Sequence, residues 1–84
     1  MSPRYGTVFG YAIFFFANDR DEPPHVHVAQ PTTPNNNSKF WIANNSATLV
    51  HNNAKIPERD LNRIEKYLQR NSANILACWR EFFE

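Results

Sequence analysis

The distribution of apolar and polar residues predicts strands in the first two thirds of the chain and helices in the last third. The longest apolar run extends from Thr7 to Ala17, and an extended backbone places apolar side chains on both of its faces. Its aromatic and β-branched residues favour a strand over a helix. We therefore expect one central strand that is covered on both sides, by the rest of the chain or by a partner.

A second strand is predicted after the polar segment 18–24, which ends in two prolines that hold the backbone extended. Residues two apart on a strand share a face, so Val26 and Val28 are expected to face the core. His25 and His27 then share the opposite face. The sequence predicts that both imidazoles point together into solvent.

Two further strands are expected at Lys39–Ala43 and Ala47–His51, because three polar residues that favour turns separate them. The segment 30–38 contains no apolar residue and is predicted to form a surface loop. His51 ends the last strand on the face of Leu49, where it is expected to be a boundary residue and is the candidate for a third imidazole in the site.

The last third of the chain predicts two helices. Pro57 suits the first turn of the first helix, and Leu61, Ile64 and Leu68 follow at helical spacing as its buried stripe. Ser72 is a candidate N-cap for the second, more apolar helix. Together these patterns predict an α+β fold in a single domain, residues 1–84. We expect a small antiparallel sheet of about four strands, followed by two C-terminal helices packed on one face.

The composition narrows the class of protein. With 84 residues, 42% hydrophobic residues and a formal net charge of +1, the chain is an ordinary globular domain and not a strongly basic nucleic-acid protein. A single cysteine, Cys78, excludes an internal disulfide and is expected to fill the core. Met1–Arg4 lacks the features of a signal peptide, and the apolar run is too short to span a membrane. A cytoplasmic location is expected.

The histidine pair has three possible roles. Two imidazoles on one face can bind a metal ion if a carboxylate supplies a third ligand. They can also act as the general acid and base of a metal-independent ribonuclease, because imidazoles titrate near neutral pH. Alternatively, the acidic residues of segment 18–24 can hydrogen-bond both rings, which then only stabilise the structure of that segment. We favour function without a metal or other cofactor; the candidates are His25 and His27 as catalytic residues, with Asp19, Asp21 and Glu22 in support.

A second candidate surface lies on the first helix. Four cations recur at offsets of four, three and four and share one narrow arc away from the core: Arg59, Arg63, Lys66 and Arg70. Such a stripe is usually a solvated surface. It can also follow the phosphates of RNA, with Trp41 or Tyr5 adding base stacking, or bind an acidic protein partner.

Several of these segments, in this order, resemble a small prokaryotic family, the domain of unknown function 4160. The resemblance is carried by Phe14-Phe15-Phe16-Ala17-Asn18-Asp19, Pro23-Pro24-His25-Val26-His27-Val28, Lys39-Phe40-Trp41, Ile56-Pro57, Asp60-Leu61 and Cys78-Trp79-Arg80-Glu81-Phe82-Phe83. It covers nearly the whole chain. His25 and His27 match the most distinctive positions of the family, and the resemblance implies no particular catalytic reaction.

Some members of that family resemble toxins of toxin–antitoxin pairs. The resemblance therefore implies a small toxin-like protein of a prokaryote or phage, which acts on RNA or the translation machinery through His25 and His27. Its expected partner is a cognate small antitoxin-like protein. The alternative is a non-enzymatic module that binds and blocks a host or phage protein complex. A homodimer is also expected, because two helices cover only one face of the sheet.

Overall fold

A computed structural model describes residues 4–16 and 19–83 of the chain. It contains one five-stranded antiparallel sheet in which each strand pairs with the next along the chain, followed by two helices. The predicted α+β fold class is confirmed. The strands are β1 (Arg4–Val8), β2 (Tyr11–Phe14), β3 (His25–Ala29), β4 (Ser38–Ala43) and β5 (Ser46–Asn52), and the helices are α1 (Glu58–Arg70) and α2 (Ser72–Phe83), with a short 3-10 helix at Asp19–Asp21.

The apolar run that was expected to form one central strand is a hairpin, and that prediction is wrong. Phe9 and Gly10 have φ values of 52° and 84°, so the chain reverses there between β1 and β2. Two successive residues with positive φ are typical of the two-residue turn that suits the twist of antiparallel strands. The sheet therefore has five strands. Ala17, the predicted end of the run, lies outside the described residues.

The main core lies between the sheet and the two helices. Val26 and Val28 of β3 are fully buried there, as the alternation along that strand predicts. Phe40 of β4 packs beside them, and the helices contribute a fully buried stripe at Ile64 and Leu68. Burial of these large apolar side chains supplies most of the driving force for folding.

The opposite face of β2 and β3 is also covered within the chain. Ala12, Phe14 and Ala29 are at most 4% exposed and form a second apolar cluster, against which Phe16 packs. The homodimer was expected because two helices cover only one face of the sheet, but the chain itself buries the other face of β2. The homodimer stays a prediction without that argument.

The hairpin of β4 and β5 has the predicted turn at Asn44 and Asn45, and Asn45 has the positive φ that asparagine tolerates. A register shift after Lys39 leaves Val50 unpaired, as in a β-bulge. Because of the bulge, His51 lies opposite Lys39, whereas Leu49 lies opposite Phe40. The prediction that His51 shares the face of Leu49 is therefore wrong.

Helix α2 differs from the predicted helix in two details. Ser72 is buried and its hydroxyl accepts a hydrogen bond of 2.8 Å from the backbone N–H of Asn45 at the tip of the hairpin. This contact joins the hairpin to the start of the helix. Cys78 is exposed and does not fill the core, because Ile75 and Trp79 occupy the buried side of the helix. Within residues 4–16 and 19–83, no helix is long and apolar enough to cross a membrane.

Candidate functional site

The two histidines of β3 are buried, contrary to the prediction that they face solvent. Only 1% of His25 and 8% of His27 is exposed. They do share the face opposite Val26 and Val28, as predicted. Asp19, which is 6% exposed, packs against both rings and closes over them. The alternation of a strand predicts which face a residue lies on, but not whether that face is covered. Here Asp19, from the segment before β3, covers both rings.

One oxygen of Asp19 is the centre of this cluster. Its Oδ2 atom lies 3.0 Å from Nε2 of His27 and 3.1 Å from Nε2 of His25. The same oxygen accepts a hydrogen bond of 2.7 Å from the backbone N–H of Phe16. Both imidazoles therefore direct the same ring nitrogen at one carboxylate oxygen. We call Asp19, His25 and His27 the His–Asp cluster.

The other nitrogen of each ring also faces an oxygen atom. Nδ1 of His25 lies 2.9 Å from the carbonyl oxygen of Pro23, and Nδ1 of His27 lies 2.9 Å from Oδ1 of Asn37. The amide of Asn37 donates through Nδ2 to the carbonyl of Pro34, which fixes Oδ1 as the atom that faces the ring. Because these oxygens only accept hydrogen bonds, a hydrogen bond to either one requires the proton on Nδ1 of that ring.

The cluster has more hydrogen-bond acceptors than two neutral histidines have N–H groups. All four ring nitrogens face oxygen atoms, but a neutral imidazole has only one N–H to donate. With both protons on Nδ1, each Nε2 presents a lone pair to Asp19. Although Nε2 of His25 is 3.1 Å from Asp19, it is buried and makes no aligned hydrogen bond, so we regard this pair as a close contact. Burial lowers the pKa of His27 despite its contacts with Asn37 and Asp19, which opposes a second proton there.

Aromatic side chains surround the cluster. Phe14 stacks on the ring of His27 with 5.6 Å between ring centroids, and Phe16 lies 4.6 Å from the same ring. Trp79 of α2 and Trp41 of β4 lie 5.0 Å and 5.6 Å from the ring of His25. These contacts limit access to the rings, and neither imidazole reaches a bulky substrate such as RNA in this conformation.

The other acidic residues of the turn do not reach the histidines. Asp21 and Glu22 are exposed, and Glu22 instead forms an ion pair with Lys39. The hydrogen bond from Lys39 lowers the pKa of Glu22. Among the described residues, Asp19, His25 and His27 form a group whose potential metal-ligand atoms lie within 4.8 Å of one another. His51 does not belong to this group. Asn18, the first residue of the predicted turn, lies outside the described residues.

The four cations of α1 form a second candidate site. Arg59, Arg63, Lys66 and Arg70 are all exposed, as the helical spacing predicts, and none takes part in the ion pairs found among the described residues. The last three line an open cleft of about 200 Å³. Arg59 lies outside the lining of this cleft.

Two aromatic residues complete the cleft, Phe9 and Tyr67. The guanidinium carbon of Arg63 lies 4.1 Å from the centre of the Phe9 ring, and the two rings meet edge to face with 6.4 Å between centroids. Phe9 is 47% exposed. We call this set, Phe9, Arg63, Lys66, Tyr67 and Arg70, the basic cleft.

Sequence reasoning missed six residues that line these sites, Phe14 and Phe16 beside His27 among them. Tyr67 follows Arg63 by four positions on α1, so helical spacing could have placed it beside the cations. The contacts of Phe9, Asn37 and Trp79 depend on chain segments that are distant in the sequence, and no local pattern indicates them. Trp41 and Tyr5, the aromatic residues considered for base stacking, do not line the basic cleft.

The fold and the two sites define a small α+β domain with a buried His–Asp cluster on one face of the sheet and a basic cleft at the first helix. The chain belongs to the family described as a domain of unknown function, DUF4160, whose family model matches residues 10–80. Comparisons with curated proteins and with solved structures give no match.

Proposed function

We propose that this DUF4160 chain is the toxin-like component of a toxin–antitoxin pair and binds single-stranded RNA in the cytoplasm through the basic cleft. The observation that carries the proposal is the position of Phe9, an exposed aromatic residue held in a strained turn beside three cations. The toxin-like class rests on the resemblance of some family members to toxins, and the cleft supports the choice of RNA.

The turn at Phe9 costs free energy that a different residue would avoid. A bulky side chain at positive φ is unfavourable by about 1–2 kcal/mol, whereas asparagine before glycine is preferred in this type of turn. Leaving the ring 47% exposed recovers little of that cost through burial. Strained residues of this kind concentrate at functional sites. Within the fold the ring contacts Arg63 and Tyr67, and its exposed part is free for a base to stack on.

The cations beside the ring suit the phosphates of the same strand. Arg63, Lys66 and Arg70 are exposed and take no part in the ion pairs among residues 4–16 and 19–83. Neutralising each phosphate releases counterions, which favours binding and makes it sensitive to salt. Flat aromatic rings combined with a cationic groove are typical of proteins that bind single strands without strong sequence preference.

Cleavage of RNA is not part of this proposal. The imidazoles that were considered for acid–base catalysis are at most 8% exposed and face a buried carboxylate. A general base must come within hydrogen-bond distance of the proton that it removes. We infer that toxicity arises from RNA binding, and that the His–Asp cluster supports the fold.

The test uses a fluorescent single-stranded oligoribonucleotide and measures its anisotropy with increasing protein at several salt concentrations. We expect Phe9→Asn to weaken binding by about 5-fold to 100-fold, since stacking on one aromatic residue is worth about 1–3 kcal/mol. Arg63→Glu combined with Lys66→Glu should abolish binding. Arg80→Ala, which removes an exposed cation of α2 outside the cleft, is the matched control and should bind like the wild type.

Two results would contradict the proposal. Wild-type protein that is folded but binds no RNA at low salt excludes it directly. Unchanged binding in Phe9→Asn together with a loss in Arg80→Ala would reduce binding to unspecific charge attraction. Because asparagine is the favoured residue in this turn, Phe9→Asn is expected to fold, and circular dichroism verifies this.

The alternative function, a module that binds protein, is favoured by β5. This strand pairs only with β4 in the described sheet, so its outer edge is free to add a strand, and Leu49 and Val50 are 36% and 41% exposed on it. An extended segment of a host or phage protein suits such an edge. Mixing the purified chain with such a protein distinguishes the sites: Val50→Pro should block complex formation at β5, and Phe9→Asn should not.

A further inference from the structure

We propose that the His–Asp cluster is a binding site for one divalent transition-metal ion of the zinc class. Nε2 of His25, Nε2 of His27 and a carboxylate oxygen of Asp19 lie within 4.8 Å of one another and supply three ligand atoms. All three residues are buried. The site is separate from the basic cleft and does not depend on the RNA proposal.

The first argument is the proton balance. Nδ1 of His25 donates to the carbonyl of Pro23, so its Nε2 directs a lone pair at the carboxylate, an arrangement that is repulsive when nothing lies between them. A cation removes the repulsion, since it accepts this lone pair and attracts the carboxylate, and it accepts that of His27 when the proton of His27 is on Nδ1. The buried Nε2 of His25, which makes no hydrogen bond among the described residues, then has a partner.

The second argument is the contact on the far side of each ring. Histidines that bind metal through one nitrogen almost always donate the other N–H to a carbonyl, carboxylate or water. Here the carbonyl of Pro23 and the amide oxygen of Asn37 take those positions, each at 2.9 Å. Pro34 in turn fixes the amide of Asn37. Both rings are therefore held in the orientation that a metal site requires, and His25 is also in the required tautomer.

The third argument is the spacing of the ligand atoms. Bonds of about 2.0–2.1 Å in a tetrahedral zinc site place neighbouring ligand atoms about 3.3 Å apart. The carboxylate oxygen lies 3.0 Å and 3.1 Å from the two Nε2 atoms, close to this spacing, and all three ligand atoms lie within 4.8 Å of one another. Three protein ligands leave a fourth position for water or another ligand.

The type of ion follows from the ligands. Two imidazoles and one carboxylate suit zinc and its transition-metal neighbours, whereas calcium and magnesium prefer sites built of oxygen atoms. The bound ion would join the 3-10 helix at Asp19 to strand β3. The aromatic rings of Phe14, Phe16 and Trp79 would form an apolar wall around it.

The experiment measures zinc binding to the full chain in a Cys78→Ser background, since the exposed thiol can bind zinc on its own. Protein freed of metal with a chelator is titrated with Zn²⁺ by calorimetry, and with Co²⁺ by absorption spectroscopy. We expect one ion per chain and a higher melting temperature with Zn²⁺ than with chelator. His27→Ala should lose the binding, and His51→Ala, which removes the one histidine outside the cluster, should retain it.

Two further measurements cover the case in which His27→Ala does not fold. Asn37→Ala leaves all three ligands in place and should weaken zinc binding by about 10-fold to 100-fold, because it removes the acceptor that orients His27. In the wild type, the ¹⁵N signals of Nε2 in His25 and His27 should shift on addition of Zn²⁺ while the Nδ1 atoms keep their protons. A folded wild type that binds no stoichiometric Zn²⁺, or an equal loss of affinity in His51→Ala, would falsify the proposal.

Discussion

The carboxylate of Asp19 and the imidazole of His27 meet at 3.0 Å across eight positions of the chain, and both side chains are at least nine-tenths buried. The same carboxylate oxygen accepts from the backbone of Phe16 and lies against His25. A single oxygen thus holds the chain before the 3-10 helix, the helix itself and strand β3 in one arrangement.

This arrangement predicts a large difference between two neighbouring aspartates. Asp19→Ala leaves the backbone N–H of Phe16 without its acceptor, so we expect it to lower the free energy of unfolding by about 1–3 kcal/mol. Asp21→Ala removes an exposed carboxylate of the same 3-10 helix and should change it by less than about 0.5 kcal/mol. Urea denaturation of both variants in the presence of chelator measures the difference. Equal effects would show that the buried contacts of Asp19 contribute nothing.

The turn between β1 and β2 predicts opposite effects for its two residues. Phe9→Asn should raise the free energy of unfolding by about 1 kcal/mol, because asparagine adopts positive φ more readily than phenylalanine. Gly10→Ala should lower it by about 1 kcal/mol; a new Cβ there meets no atom within 4 Å, so backbone strain alone causes the loss. Thermal denaturation of the two single variants measures both signs. A loss of stability in Phe9→Asn would mean that the ring's contacts with Arg63 and Tyr67 outweigh the strain.

A hydrogen bond between the sheet and α1 gives another prediction. The hydroxyl of Tyr11 donates to Oδ2 of Asp60 at 2.8 Å, across 49 positions of the chain. Burial raises the pKa of Tyr11, and the contact with Asp60 adds to that effect. We expect Tyr11→Phe to cost about 1–2 kcal/mol of stability. A double-mutant cycle with Asp60→Asn isolates the pair, and a coupling energy near zero would show that the bond contributes no stability.

The ion pair of Glu22 and Lys39 predicts how Glu22 titrates. Folding lowers the pKa of Glu22, chiefly through the hydrogen bond from Lys39. The contribution of Glu22 to stability is therefore present above the pKa that Glu22 has in the unfolded chain, and it is lost as the pH falls through its folded-state pKa. Lys39→Met should move the pKa of Glu22 back toward the usual range of a glutamate. A carboxyl-detected NMR titration of both proteins measures this shift, and an unchanged pKa would assign the effect to another group.

The sequence was sufficient for the parts of the fold that local patterns determine. Alternation identified the core face of β3, the asparagine turn identified the hairpin of β4 and β5, and helical spacing identified the exposed cations of α1. The sequence does not indicate the turn at Phe9, because phenylalanine does not favour positive φ and an apolar run without turn residues predicts one strand.

The candidate site was predicted only in part. The residues of the His–Asp cluster were all among the candidates, and their shared face was correct, but their burial was not. Burial arises from the aromatic residues and from Asp19, which pack over the strand, and Asn37 reaches His27 from a loop ten positions away. Contacts of this kind depend on the path of the whole chain. The bulge at Val50, which changes the face of His51, has no local signal in this sequence either.

The order of the strands has a consequence for how fast this domain reaches its native state. Every strand pairs with its neighbour in the chain, so each pairing closes a short loop, and the longest connections within the sheet are those on either side of β3. Short loops cost little entropy to close, and chains rich in local contacts cross their folding barrier quickly. The fast phase of stopped-flow refolding should therefore take milliseconds to tens of milliseconds, faster than is common for β-rich domains whose strands pair across distant parts of the chain.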